Sequence, residues 1–314
     1  MSTSSKKVLA ISVGDLNGIG IEIALRAHKQ ICEIAIPVYC ISEKMLDQAC
    51  DKLGIKRPKE INLSPVKGSF PISPGKVDKH SGLYSYRSFH KAIRLCEKKV
   101  ADALVTMPIH KEAWSKAGIE HKGHTDMLRD HFNQEAIMML GCKKLYVALF
   151  TEHIPLKEVA KKIKTKAITD FLLKLSMDIK TDKIAVLGLN PHAGDGGVLG
   201  NEEEQITHAI KKANKALKKE LFVGPMVPDT AFTATMRKRY QHYVCMYHDQ
   251  GLIPLKALHF DESINISLGL PIIRTSVDHG TAFDIAYRSK KPSEKSYINA
   301  VKEAVKYSEK KCLK

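Results

Sequence analysis

No two of the seven cysteines are spaced C-x-x-C, their number is odd and their spacings are irregular. A disulfide framework is therefore not expected. Cys32, Cys40, Cys50, Cys96, Cys142, Cys245 and Cys312 read as buried free thiols of a cytoplasmic protein. Long apolar runs are also missing. The opening Met1-Ser2-Thr3-Ser4-Ser5-Lys6-Lys7 leads into a stretch broken by Asp15, Asn17 and Glu22, which fits neither a secretory signal nor a membrane span. Aromatic residues are scarce at 6%, and Asp and Glu are outnumbered, 34 against 50 Lys and Arg, for a net charge of +16. Such a surface attracts anions. The lysines, however, fall on helical faces, as in 157–162 and 211–215, with no aromatics interleaved to stack bases, so nucleic acid is not an expected partner. The reading is a solvated basic surface with some attraction for phosphorylated ligands. Neither an internal repeat nor a low-complexity linker is present.

What the chain does contain is an ordinary globular composition, 44% hydrophobic and 27% charged over 314 residues, enough for one large α/β domain or two lobes. β-rich runs at 8–13, 36–41, 103–105, 136–140, 145–150, 183–189, 243–246 and 272–275 alternate with helical patterns at 21–28, 43–52, 165–179, 201–219 and 293–310. Asn201 followed by Glu204 reads as a capping box. This alternation argues for an α/β protein. The segment 52–74, rich in Pro, Lys and Ser, is expected to be a long surface connection.

The chemistry gathers in the loops after the strands, where ligands bind in open α/β sheets. Gly14-Asp15-Leu16-Asn17-Gly18-Ile19-Gly20-Ile21-Glu22 follows the first strand. Its order is G-x-x-x-G-x-G, not the G-x-G-x-x-G of a Rossmann unit, so a tight turn and a phosphate-binding turn stand as equals. Gly118 to Gly123 matches G-x-x-x-x-G, but His124 stands where a P-loop has lysine, which disfavours a nucleotide triphosphatase. His124 and Thr125 are able to donate to a phosphate, and Thr125 is also a candidate helix N-cap. His153, His192 and His248 each follow a predicted strand, in Thr151-Glu152-His153, Asn190-Pro191-His192-Ala193-Gly194 and Tyr247-His248-Asp249-Gln250-Gly251. Three neutral imidazoles suit a divalent metal, although an arbitrary trio among 14 histidines means little without those contexts. Lys256 and Arg274 can grip an anion, Arg274 with a planar fork, and a lone arginine is as readily a surface salt bridge.

Taken together and in order, the glycine turn, Gly123-His124-Thr125-Asp126, Gly188 to Gly194, Gly224-Pro225 with Asp229-Thr230-Ala231-Phe232, Tyr247 to Pro254 and Gly269 to Ala286 closely resemble the 4-hydroxythreonine-4-phosphate dehydrogenases. Leu16-Asn17 and Ile21 depart from that family's usual turn. The resemblance implies a two-lobed isocitrate/isopropylmalate dehydrogenase-like α/β fold, not a Rossmann fold. It implies a homodimer, with lobes near 1–125 plus 275–314 and 126–274, the second carrying most metal and substrate residues. It assigns His153, His192 and His248 to one divalent metal ion (zinc, cobalt or magnesium). His124, Thr125, Lys256, Asn265 and Arg274 fall to the substrate, with Lys256 as base or clamp. His279, Gly280, Thr281 and Asp284 fall to NAD. The implied reaction oxidises 4-phosphohydroxy-L-threonine to a β-keto acid that decarboxylates to 3-amino-2-oxopropyl phosphate, in pyridoxal phosphate biosynthesis. Alternatives within the class are dehydrogenases of phosphorylated threonate or erythronate. Another class, a metal-dependent phosphate-ester hydrolase or an acyltransferase, would need no nicotinamide.

Overall fold

A computed structural model of the chain describes residues 5–311, with side chains through Glu309; Cys312 and the first four residues lie outside the described residues. The chain divides into two compact units: 1–134, 264–266 and 270–314 form the first, and 135–263 with 267–269 the second. Asn265 and Arg274, expected in the second lobe, belong to the first unit. Among the described residues, eleven strands occur in chain order: β1 Val8–Ser12, β2 Ile36–Cys40, β3 Asn62–Leu63, β4 Ala103–Thr106, β5 Ile137–Cys142, β6 Leu145–Leu149, β7 Ile184–Leu187, β8 Phe222–Met226, β9 His242–Cys245, β10 Ile264–Leu268 and β11 Arg274–Val277. The sequence reading missed β3, β8 and β10.

In the first unit the order is β3-β2-β1-β4-β11, and the pairings of β1, β2, β3, β4 and β11 are parallel. The run β3-β2-β1-β4 is how a doubly wound dinucleotide-binding sheet begins. Here it is continued by β11, which arrives from the far end of the chain rather than from the next strand in sequence. β4 is buried along its whole length, as expected of a parallel strand with both faces covered. In the second unit the order is β5-β6-β9-β7-β8, with an antiparallel β5–β6 hairpin and parallel pairings thereafter. Its core is built on Leu140, Val147, Leu149, Leu187, Tyr243 and Leu255.

Several local expectations are corrected. The segment 52–74 is not a free surface connection: it contains β3, and Val66, Phe70 and Ile72 are buried. Thr125 is not an N-cap, because the helix His124–Phe132 starts one residue earlier behind Gly123. Asn201 does precede the helix Glu202–Leu217, but its side chain makes no cap hydrogen bond, since its backbone (φ −118, ψ 6) is not extended; the three glutamates of the first turn face the positive helix end instead. His248 opens a helix, His248–His259, rather than sitting in a loop.

The helix Lys79–Glu97 went unread because its buried face is made of Ser81, Gly82, Ser85 and Ser88 as much as of apolar residues. Asp78 caps it by accepting from the backbone N–H groups of His80 and Ser81 at 3.1 Å each. Gly82 lets this helix lie directly against the backbone carbonyl of Ala113, which a Cβ would strike. Gly→Ala in an open helix gains about 1 kcal/mol. At Gly82 the sign reverses, and Gly82→Ala should destabilise by roughly 1–3 kcal/mol, as overpacking does. Thermal unfolding followed by circular dichroism checks this: the midpoint falls, and an unchanged or raised midpoint contradicts the packing described.

Candidate active site

In the first unit, Arg274 opens β11 beside β4, and its side chain is 2% exposed. This excludes the surface salt bridge. Its Nε and Nη2 both donate to Thr106 Oγ1, at 3.2 and 2.8 Å. Burial lowers the guanidinium pKa to about 9, so it stays charged at neutral pH. His124 is buried beneath Phe89 and Trp114, whose rings approach edge-on at 4.5 and 5.8 Å. Its Nε2 has no hydrogen-bond partner. Burial first, and the charge of Arg274 second, hold its pKa well below the ordinary histidine value. A neutral imidazole beside a fixed guanidinium is a built anion site: the anion receives charge from the arginine, and the histidine supplies a hydrogen bond without a second charge to desolvate. Thr125 is half-buried on the same first turn, and Asn265 on β10 keeps a buried Oδ1 without a partner.

The glycine turn packs on the segment expected to hold the cofactor. Ile19 N–H donates to Thr281 C=O at 3.0 Å, and a Cβ on Gly18 would come within 2.7 Å of that same oxygen. Asn17, one of the departures from the family's turn, stitches the neighbouring loop: its Nδ2 donates to Lys76 C=O and its Oδ1 accepts from Ser73 N–H, both at 2.8 Å. Phe283 stacks on His110 at 4.7 Å, and Tyr287 Oη donates to Leu16 C=O at 2.8 Å. Asp15 is fully buried, bonded to Ser81 Oγ and Asn17 N–H, with its other oxygen unpartnered. Burial raises its pKa, against the lowering pull of Ser81, Asn17 and His110. Of the expected cofactor residues, Thr281 is buried, His279 and Gly280 form the start of the loop, and Asp284 is exposed.

In the second unit, the rings of His153 and His248 lie 5.4 Å apart. His248 Nδ1 is 2.6 Å from Asp249 Oδ1, which orients the ring and leaves Nε2 for a ligand. His192 is exposed on the turn Pro191–Gly197, where residues 192–196 all have positive φ. Three of these are not glycine, an uncommon backbone that persists where the surroundings hold it. Glu203 does the holding, accepting from Leu189 and Asn190 N–H at 2.8 and 2.7 Å. Two residues to which sequence reasoning gave no role join the three histidine segments. Thr151 Oγ1 donates to Met246 C=O at 2.6 Å, and Gln250 accepts from Met246 N–H and donates to Gly188 C=O, each at 2.7 Å. Two of the three predicted ligands are thus adjacent, and the third sits on a loop tied to them. Among the described residues, the three-residue group whose ligand atoms all lie within 4.8 Å of one another is Cys142, His259 and Glu262, not the predicted trio. Lys256 lies on the helix His248–His259, with Nζ 3.5 Å from Ser263 Oγ and 5.2 Å from the centre of the Phe260 ring.

A family model described as pyridoxal phosphate biosynthetic protein PdxA matches residues 22–304. The chain belongs to the PdxA family. The relatives of this PdxA chain include 4-hydroxythreonine-4-phosphate dehydrogenase of Sulfurimonas denitrificans, 60% identical over 97% of the chain and 99% of the relative. The enzyme of that name from Campylobacter fetus is 54% identical, covering 95% and 97%. Among solved structures, 4-hydroxythreonine-4-phosphate dehydrogenase from Klebsiella pneumoniae superposes with a TM-score of 0.84 at 31% identity, covering 98% of this chain and 99% of that one. The chain is accordingly an enzyme of the dehydrogenase class with that α/β fold, and the hydrolase and acyltransferase readings are set aside.

The buried neutral His124 has a measurable consequence for this PdxA protein. Unfolded, it takes up a proton near pH 6.5, about its ordinary value; folded, it does so only at lower pH. Between those points the unfolded chain binds more protons, so stability is complete above the unfolded pKa and falls as pH drops below it. The slope for one such group is at most about 1.4 kcal/mol per pH unit. His90 and His259 are shifted in the same direction. The difference between wild type and His124→Gln isolates the one residue: denaturant midpoints should fall less steeply on acidification in the variant. Parallel pH profiles would contradict a neutral His124.

Proposed function

We propose that the chain is a cytoplasmic, NAD-dependent and divalent-metal-dependent 4-hydroxythreonine-4-phosphate dehydrogenase acting as a homodimer. Its substrate, 4-phosphohydroxy-L-threonine, carries a phosphate, a carboxylate, an amine and a secondary hydroxyl. The observation that carries the reading is the buried Arg274 beside neutral His124. The guanidinium and the imidazole both offer N–H donors, and phosphate accepts from both groups. The six described cysteines are free, which supports a reducing compartment. Among the described residues no helix is long and apolar enough to cross a membrane.

The first unit binds and orients. Arg274, preorganised by Thr106, holds an anionic group of the substrate, with His124 Nε2 and the Thr125 hydroxyl adding donors. Asn265 Oδ1, buried and unpartnered, accepts from a substrate N–H or O–H. The loop 279–284, braced through Thr281 on the glycine turn, would hold NAD, which when bound would supply the hydride acceptor. The donor chemistry in the second unit fits a divalent metal: three imidazoles, one already oriented by a carboxylate. His153, His192 and His248 would hold the ion, which when bound acts as a Lewis acid lowering the pKa of the substrate hydroxyl. Lys256 serves as the base that takes the hydroxyl proton or as a further phosphate clamp. Loss of the proton to the base and of hydride to NAD leaves a β-keto acid. That product sheds carbon dioxide and gives 3-amino-2-oxopropyl phosphate.

Formation of NADH from 4-phosphohydroxy-L-threonine with a divalent metal tests the reading, alongside the phosphorylated threonate and erythronate analogues. His192→Ala should abolish turnover with little loss of folding, because the exposed ring contributes nothing to the core. Arg274→Lys keeps the charge but loses the fork on Thr106, and kcat/KM should fall about tenfold or more, each decade being about 1.4 kcal/mol. The Kd for NAD should change much less. No NADH with any of the three substrates would overturn the activity. An unchanged kcat/KM in Arg274→Lys would remove Arg274 from the substrate.

A further inference from the structure

The β5–β6 hairpin turns at Cys142 and Leu145, which face each other across the register. Cys142 is 3% exposed; burial raises its thiol pKa, against the opposing pull of the backbone N–H groups of Lys144 and Leu145 on its sulfur, so a thiolate there needs a cation to stabilise it. The helix His248–His259 ends against this turn. Its last residue, His259, has a fully buried Nε2 with no hydrogen-bond partner. The chain then folds back, with Glu262 and Ser263 N–H donating to His259 C=O at 3.3 and 3.2 Å, so Glu262 is returned to the side of its neighbour. The ligand atoms of Cys142, His259 and Glu262 all lie within 4.8 Å of one another.

We propose that Cys142, His259 and Glu262 form a second metal site, of the zinc class, distinct from His153, His192 and His248. A thiolate, an imidazole and a carboxylate are the donor types that zinc takes, and three protein ligands leave a fourth position for water. Bonds of about 2.0–2.3 Å put tetrahedral ligand atoms roughly 3.5 Å apart, so the three side chains need to close by only about 1 Å. The site is far from His248: positions 248 and 259 are the two ends of one helix, about 16 Å apart at a 1.5 Å rise per residue. It is not an acidic patch gathering cations at large, because Lys144 Nζ sits 3.5 Å from Glu262 Oε2, and Lys144 and Arg237 both place positive charge toward His259. Lys144 therefore competes with the metal for Glu262. Loaded, the site ties the hairpin to the end of the helix that carries Lys256, three residues before His259.

Cobalt(II) reports on this site selectively, because only a thiolate ligand gives a near-ultraviolet sulfur-to-cobalt charge-transfer band and His153, His192 and His248 offer none. Titrating the full chain with cobalt alone should raise that band to saturation by two ions per chain, one for each site, and excess zinc should bleach it. Cys142→Ser should abolish the band in a variant that circular dichroism shows to be folded. Two partly exposed positions give an independent check: His259→Gln should weaken cobalt binding at least tenfold, and Lys144→Met should tighten it several-fold. Absence of the band, its survival in Cys142→Ser, or unchanged affinity in both His259→Gln and Lys144→Met would overturn the proposal.

Discussion

Placing one guanidinium in the dry space beside two parallel strands is the constraint on which the first unit depends. A charge taken out of water costs several kcal/mol even after relaxation. Arg274 is 2% exposed, and its bonds to Thr106 offset part of that cost. The protein tolerates it because β4 and β11 are locked in register, and Thr106 stands beside the strand that starts with Arg274. Burial first, and this charge second, set the state of His124. A second cation nearby would be prohibitive, so the imidazole stays neutral and its Nε2 faces the site unbonded. On the proposed function, an anionic substrate group would accept from both groups at once, which would tie affinity to phosphate rather than to the diffuse +16 charge of the surface.

The second unit solves a different problem, that of holding flexible loops in one place. Three histidines on three segments gain a common frame from hydrogen bonds that involve none of the imidazoles. Gln250 spans from Met246 to Gly188, Thr151 reaches Met246, and Glu203 gathers the turn before His192. Loss of the Gln250 bond to the buried Met246 N–H would leave that donor unsatisfied, at about 1–3 kcal/mol. The frame is therefore stiff, while His153 and His192 are exposed and His248 is half-buried.

Much of this was legible from the chain. The strands β1, β2, β4, β6, β7 and β9 are short apolar runs, and the helices at 20–34, 43–53 and 165–178 have apolar stripes of the right period. The segments that follow β6, β7 and β9 carry His153, His192 and His248. What was not legible lacked a local signal. The helix Lys79–Glu97 buries serines and a glycine, so periodicity does not mark it. The helix His248–His259 contains Pro254, and β8 contains Gly224 and Pro225, residues that read as breaks. Thr106, Gln250 and Asn17 are ordinary in sequence; each acquires a role only through a partner far along the chain, at Arg274, Gly188 and Lys76. The grouping of Cys142 with His259 and Glu262 is of the same kind, invisible until the hairpin and the helix end meet.

The central claim is that a buried charged arginine and a neutral histidine form a ready-made phosphate site. The nitrogen-15 histidine spectrum of the free protein, titrated with inorganic phosphate, tests it most directly, with His124 assigned by its absence in His124→Gln. The account predicts that His124 remains neutral at about pH 6, below its ordinary pKa of about 6.5. It also predicts that phosphate shifts its Nε2 resonance in the wild type and not in Arg274→Lys. A His124 that titrates at the ordinary value and ignores phosphate would contradict the account.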